Sequence, residues 1–504
     1  MSDKDVTRGL GGRLMPDYWC TWATQNRLVA EDRERLQTTI AGDQGAFRAR
    51  NNLNEELVFG ADGWASRMCR GYRKNLFLLL DDGWDVPYDS HPGRNLEAFG
   101  LLEPWPERFS SFGGTALERL REMNRRAQEA GWQGVGLWIA AQRDGDRHGA
   151  LAAGVEEHYR RQLELSAAAG VRYWKVDWGV RGGSNAFREM VSRLAREICP
   201  ELWVEHCPLD MRALNGLRLQ DGEMVGTGRA ETSWDDAELV ERCRFSDIVR
   251  TYDVLRPLSD TTTLDRAVGY LGTLERHRLS GTLLNVEDSP VIGAVLGCAF
   301  GIMRQTDGSN VSGDMTCRRA VAWHGMAPPF GWSEGVETVF SEASLEDWHA
   351  YAAEEIWLRD VWGHCVRQGA PATVARGLSL PEVCPLGSSR PYVLAGRHPN
   401  GAVSVGVLPR VSGEVCETPA AEVRLREPLD WSRPVAVFGE LSSLCVPWDG
   451  GSVRLRVSDL GGGSGHEVEV SGSGGVLCLD CGQLRAVAEV CPEGTPAVLL
   501  ERVG

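Results

Sequence analysis

From about residue 17 to residue 345, short apolar, aromatic-rich runs alternate with longer stretches whose apolar residues recur at spacings of three and four. The first kind predicts buried strands and the second amphipathic helices; their regular alternation is the pattern of βα units on a parallel sheet. The predicted strands are Tyr18–Ala23, Leu76–Leu80, Gly134–Ala140, Tyr173–Asp177, Leu202–Cys207, Ile248–Asp253, Thr282–Val286 and Ala294–Met303. Predicted helices between them include Ala116–Ala130, Val155–Ala169, Ala186–Ile198 and Leu264–His277. About eight such units close into a (β/α)8 TIM barrel. Trp348–Gln368 then predicts a last amphipathic helix, and Gly369–Pro391, rich in turn residues, a linker. From Tyr392 onward, short alternating runs separated by Gly, Ser and Pro predict an antiparallel β-sandwich. The expected division is an N-terminal segment over 1–16, a barrel over 17–368, the linker over 369–391 and the sandwich over 392–504.

Several predicted strands end in polar clusters: Asp81-Asp82-Gly83-Trp84, Gln142-Arg143-Asp144, Asp177-Trp178, Glu205-His206-Cys207, Asp253 and Glu287-Asp288. In a TIM barrel these ends share one mouth, where active sites are built. A single cluster reads equally well as a solvated loop; a whole set in the same relative position does not.

Composition narrows the partners. A net charge of -16 over 504 residues repels phosphate backbones, so nucleic acid is not expected, whereas a neutral sugar meets no such barrier. The N-terminus lacks a signal-peptide run and no segment is long and uncharged enough to span a bilayer, which predicts a cytoplasmic protein without membrane association. The 14 cysteines are scattered, several within apolar runs (Cys69, Cys298, Cys478), as expected of reduced buried thiols. Cys478-Leu-Asp-Cys481 has metal-site spacing without a second ligand pair, and the 10 histidines form no metal-binding helix motif. No glycine-lysine-serine/threonine phosphate loop occurs.

Two carboxyl groups at one mouth are the equipment for glycosidic cleavage, which needs no metal or organic cofactor, and none is expected. Asp177 ends an aromatic strand that carries Lys175 two positions earlier on the same face, where a cation favours an ionised carboxylate. A structural Lys–Asp pair is the alternative. Asp81-Asp82-Gly83-Trp84 offers paired acceptors for sugar hydroxyls and an aromatic face for a sugar ring, or alternatively a helix-capping turn.

These residues also resemble a family. Leu78-Leu79-Leu80-Asp81-Asp82-Gly83-Trp84 resembles the strand-two motif of glycoside hydrolase clan D, families 27 and 36, which are mostly α-galactosidases and α-N-acetylgalactosaminidases. Gly136-Leu137-Trp138-Ile139 looks like the family 36 strand-three motif, Lys175-Val176-Asp177 like the nucleophile motif of both families, and Glu205-His206-Cys207 like strand five of family 36. Asn285 through Gly293 is similar to the strand-seven loop of family 27, including Asp288 and the closing Val291-Ile292-Gly293. The resemblance covers residues 17 to 345 and lies in the ordered series; barrel plus C-terminal sandwich looks like family 27.

The resemblance implies a retaining α-glycosidase acting on a terminal α-linked, galactoside-like sugar, with Asp177 as nucleophile. It implies sugar contacts at Asp81, Asp82 and Lys175, a pocket wall at Trp84, and further substrate contacts at Trp138, Trp178, Glu205, Cys207, Arg250 and Asp288. The general acid/base is expected at Asp253, three residues after Arg250, a slightly shorter gap than in family 27. Asp235, Asp236 and Asp260 compete for that role. Where family 36 has a glycine-rich loop after strand five, this chain has Pro208-Leu209-Asp210-Met211-Arg212, which leaves recognition at the sugar 2-position open. The long insertion Gln44–Trp64 is a candidate cover for the mouth. Two rival readings stand beside this one: a catalytically inactive carbohydrate-binding protein on the same barrel, and a barrel enzyme of another chemistry such as an isomerase, which would call for a metal or phosphate site. Association into a homo-oligomer is left open.

Overall fold

The computed structural model describes residues 10–31, 48–207, 218–220, 223–225, 236–251, 258–351 and 364–503. Eight strands form one parallel sheet: β1 (Tyr18–Cys20), β2 (Phe77–Leu80), β3 (Val135–Ile139), β4 (Tyr173–Val176), β5 (Trp203–His206), β6 (Ile248–Arg250), β7 (Leu283–Asn285) and β8 (Gly301–Ile302). Each pairs with the next in chain order, and β8 pairs with β1. A parallel bridge between Asn285 and Ala299 completes the ring. A helix follows every strand: α1 (Trp22–Glu31), α2 (Ala116–Glu129), α3 (Val155–Ala169), α4 (Asn185–Ile198), α5 (Asp236–Phe245), α6 (Ser259–Arg276), α7 (Pro290–Leu296) and α8 (Val311–His324). This is the predicted (β/α)8 barrel. The start of α2 is set by a capping box, in which Thr115 and Glu118 each hydrogen-bond the other's backbone amide.

The strands are apolar on their outer face because they pack under helices, and their inner face fills the barrel in layers. At the foot, Tyr18, Phe77, Leu79, Tyr173, Trp203, Ile248 and Leu283 form an apolar cluster. Two glycines make room for its large rings: a Cβ at Gly301 would stand 2.2 Å from the Tyr18 ring, and one at Gly136 would stand 3.2 Å from the Tyr173 Cβ. Above this floor the inward positions turn polar, which sets the stage for the site.

Three elements differ from the sequence expectation. The run Ala294–Met303 holds the end of α7 and then only a two-residue strand; α7 is buried at every position, and a uniformly apolar run carries no period to separate helix from strand. Trp348–Gln368 is not a helix where it is described: Ser344–Ala350 and Cys365–Pro371 pair as an antiparallel hairpin whose second strand packs on α6. Sheet pairing there overrides the helical spacing. Cys365–Arg367 also pairs in parallel with Glu223–Val225, from the connection between β5 and α5. Gly369–Pro391, read as a linker, contains the strands Thr373–Arg376 and Glu382–Leu386.

The C-terminal region is a sandwich of an eight-stranded and a four-stranded sheet around a core of valines and leucines. Its sheets are mixed rather than wholly antiparallel, since Thr373–Arg376 runs parallel to Tyr392–Arg397, and Val403–Leu408 parallel to Val435–Phe438. Cys445 and Cys478 face each other across an antiparallel pair and are joined by a disulfide, so Cys478 is not the reduced thiol expected; the other twelve cysteines are free.

Buried arginines fasten the two regions. Arg319 of α8 pairs with both oxygens of Asp459 at 2.9 and 2.8 Å, and donates to the carbonyls of Cys491, Glu493 and Thr495. Arg376 of the sandwich donates to the carbonyls of Leu296 and Gly297 at the end of α7, and to those of Phe330 and Gly331.

Candidate active site

Because side chains alternate along a strand, the inward set at the C-terminal end of the barrel follows from the sequence: Cys20 and Asp81, Trp138, Lys175 and Asp177, Glu205 and Cys207, Arg250, Asn285 and Glu287. All are buried.

Lys175 and Asp81 form an ion pair at 2.7 Å, to which the Cys20 thiol adds a hydrogen bond at 3.0 Å. Burial and the nearby Arg250 charge oppose the Lys175 ammonium, but Asp81, Cys20 and Tyr18 act together in its favour and its pKa rises. Burial likewise opposes the Asp81 carboxylate, while Lys175 and the hydrogen bonds from Cys20 and the Asp82 amide hold it below its ordinary range. Lys175 is thus spent on Asp81, at the end of β2 with β3 between them, rather than on Asp177.

Asp177 is fixed differently. Trp138 Nε1 donates to its Oδ2 at 3.0 Å, Arg250 Nη2 stands 3.8 Å from the same oxygen, and Arg188 holds its backbone carbonyl at 2.9 Å. Its Oδ1 is buried and, among the described residues, accepts no hydrogen bond. An orphaned buried carboxylate oxygen costs on the order of 1–3 kcal/mol or more until something donates to it.

Glu205 lies deeper and is fully engaged. It accepts from Tyr18 OH at 3.3 Å, Tyr173 OH at 2.7 Å and Asn285 Nδ2 at 2.6 Å. Burial, reinforced by the Glu205 charge, pushes both tyrosines up, so they remain phenol donors. Glu205 is therefore a floor residue. Cys207, pushed up by burial, also stays a neutral thiol beside Arg250 and Asp177.

Asp82 pairs with Arg50 at 2.7 Å, with its Oδ1 buried and unpartnered among the described residues. Burial raises its pKa to about 6, against the pull of Arg50 and helped by the Asp81 and Asp177 charges. Asp85, three residues on, accepts from the Leu102 amide at 3.1 Å and is raised by burial to about 7.

The apolar side of the site is aromatic. Trp178, half-buried, packs 5.4 Å from Trp138 and 5.0 Å from Phe99, and the Arg50 guanidinium lies over Phe99 and Trp178 at 5.2 and 5.5 Å. Trp84 is fully buried and donates from Nε1 to the Trp138 carbonyl at 2.7 Å, so it supports this wall from behind instead of forming it.

Two expected residues stand elsewhere. Asp288 is held by Arg304 at 2.9 Å and by the Met303 amide, and Asp260, raised by burial, feels the charges of that same group. Asp253 and Asp235 lie outside the described residues, as do Pro208–Arg212 and Gln44–Phe47 at the start of the Gln44–Trp64 insertion; Asp236 opens α5, and its side chain is not described. Cys20, Arg50, Asp85 and Phe99 were not among the residues expected from the sequence, and Glu287 was noted only as part of a polar cluster. Phe99 gave no signal. Glu287, which pairs with Arg250 at 2.7 Å, was visible in the alternation Leu283, Asn285, Glu287 on one strand face.

Among the described residues there is no group of His, Cys, Asp and Glu able to hold a metal ion, and no helix long and apolar enough to cross a membrane. No family model and no curated protein matches the sequence. Solved structures similar along the chain include family 27 glycosidases and α-galactosidases. α-Galactosidase I from Mortierella vinacea is 9% identical, with 97% of this chain and 96% of that chain covered at a TM-score of 0.43. The Saccharomyces cerevisiae α-galactosidase solved with raffinose is 10% identical, covering 100% and 99% at 0.43. A β-L-arabinopyranosidase from Geobacillus stearothermophilus, solved with arabinose, is 10% identical, covering 100% of both chains at 0.39. At these values the likeness carries no argument, and the function is read from the side chains themselves.

Proposed function

We propose that the protein is a retaining α-glycosidase that hydrolyses a terminal α-linked, galactoside-like sugar, with Asp177 as nucleophile and Asp253 as general acid/base. The observation that carries this reading is Asp177: one carboxylate oxygen is held by Trp138 Nε1 and the other is buried without a donor. A carboxylate fixed on one side and unmet on the other is preorganised to attack a carbon brought to it. The surroundings suit a sugar. Asp82 and the Lys175–Asp81 pair offer acceptors and a donor for hydroxyls, and Trp178 with Phe99 offers an apolar face for the ring.

In the first step Asp177 attacks the anomeric carbon while Asp253 protonates the departing oxygen; water then releases the sugar with Asp253 as base. Retention requires the two carboxyl groups to stand about 5–5.5 Å apart. The test is hydrolysis of a set of 4-nitrophenyl α-glycosides, with the anomer of the first-formed sugar read by proton NMR. Retained configuration is expected, with a loss of about 10^3-fold or more in kcat for Asp177→Asn, equivalent to about 4 kcal/mol. Sugar binding without release, or undiminished turnover by that variant, would overturn the assignment.

A further inference from the structure

One arginine serves three carboxylates at this site. Arg250 lies 2.7 Å from Glu287 Oε1 through Nε, 3.8 Å from Asp177 Oδ2 through Nη2, and 4.0 Å from Glu205 Oε1 through Nε. Of the three, only the Glu287 separation is that of a close ion pair, its two atoms in contact without the alignment of a hydrogen bond. We propose that Glu287 is a positioning residue that draws the Arg250 guanidinium off Asp177 and so keeps the nucleophile from being neutralised in a contact ion pair. This rests on the reading of Asp177 as nucleophile.

The backbone supports a dedicated role. Glu287 has φ +48°, in the left-handed region that glycine adopts freely and other residues rarely do. A position needed only to turn the chain would be served by glycine. Here a glutamate is held in that conformation, its amide donating to Asn285 Oδ1 at 2.8 Å, while Asn285 Nδ2 donates to Glu205 Oε2 at 2.6 Å. The Asn285 carboxamide therefore locks the turn that aims Glu287 at Arg250 to the floor of the site.

The physical argument is one of competition. A guanidinium buried among carboxylates settles on the nearest anion, and a contact pair with Asp177 would favour its ionised form while lowering its reactivity as a nucleophile. The other titratable groups around Asp177 are Asp82 after β2, Cys207 after β5 and Arg188 from α4; Lys175 is turned to Asp81. Arg188 is committed to backbone carbonyls and His206. Arg250 is thus the cation whose approach to the Asp177 carboxylate Glu287 controls.

The test is the crystal structure and pH profile of Glu287→Gln, with Glu287→Gly as a second variant whose backbone accepts the left-handed turn without strain. In either variant Arg250 is expected to close on Asp177 to about 3 Å. The kcat for a 4-nitrophenyl glycoside should fall about tenfold with a smaller change in KM, and the acidic limb of the kcat profile should move to lower pH. That direction follows because a carboxylate loses an anionic neighbour and gains a closer cation. Added formate should partly restore Glu287→Gly. An Arg250–Asp177 separation unchanged in both variants, or a pH profile superimposable on that of the parent protein, would overturn the proposal. If the parent protein cleaves no glycoside, the glycosidase reading falls, while the crystal structures still decide what Glu287 does to Arg250.

Discussion

The interiors of the two halves follow opposite rules. Along Ser452–Asp459 in the sandwich, Val453, Leu455 and Val457 point in and Arg454 and Arg456 point out, the alternation of a sheet with one wet face. In the upper barrel the inward positions are Asp81, Lys175, Glu205, Arg250 and Asn285, all nearly inaccessible. Taking an ion out of water costs several kcal/mol, and a well-packed apolar layer would stabilise the barrel as well or better. The sandwich core is thus organised for stability, while the barrel's polar layer is stability given up for a preorganised site.

That contrast can be broken in several ways. The largest effect is expected for Lys175→Met, which leaves Asp81 buried without its cation and should lower unfolding free energy by about 3–5 kcal/mol in denaturant titration. The double variant Lys175→Met/Asp81→Leu should recover most of that loss while remaining inactive; no recovery would contradict the idea that the pair serves the site more than the fold. Leu455→Ala should cost about 3 kcal/mol by cavity formation and leave kcat/KM unchanged, so altered kinetics would show the two interiors to be coupled.

A pH experiment comes next. The Asp85 pKa is raised to about 7, so its protonated form is favoured in the folded state. The stability it contributes is fully present below its unfolded pKa near 4 and is lost as pH rises through about 7. Asp85→Asn should therefore stabilise the protein by about 2–3 kcal/mol at pH 8 and change little at pH 4, by denaturation midpoints at the two pH values. The smallest effect is expected for Trp138→Phe, which removes the donor to Asp177 Oδ2 and should reduce kcat/KM about tenfold, or about 1.4 kcal/mol, with the aromatic wall retained.

The barrel was legible because parallel strands under helices are apolar on both faces for most of their length, and the first polar inward residue marks where each strand reaches the mouth. Asp81, Lys175 and Arg250 all follow that rule. It fails where burial is complete, as for α7, and where a distant partner decides, as for the hairpin of Ser344–Ala350 and Cys365–Pro371. The role of Lys175 was misjudged for a similar reason. Sequence spacing put it beside Asp177 on one strand, yet its ammonium reaches past β3 to Asp81 at the end of β2, a proximity set by the curvature of the sheet. The Cys445–Cys478 bridge likewise depends on a strand register that a separation of 33 residues does not encode.

The grip of Arg376 on the end of α7 has a practical corollary for dissecting the chain. Helix C-termini leave carbonyls in need of donors, and here those of Leu296 and Gly297 borrow theirs from a residue some eighty positions downstream. A polypeptide cut after the last barrel helix would strip that support and uncover α7, so the barrel is not a portable module and the two regions have to be produced and engineered together.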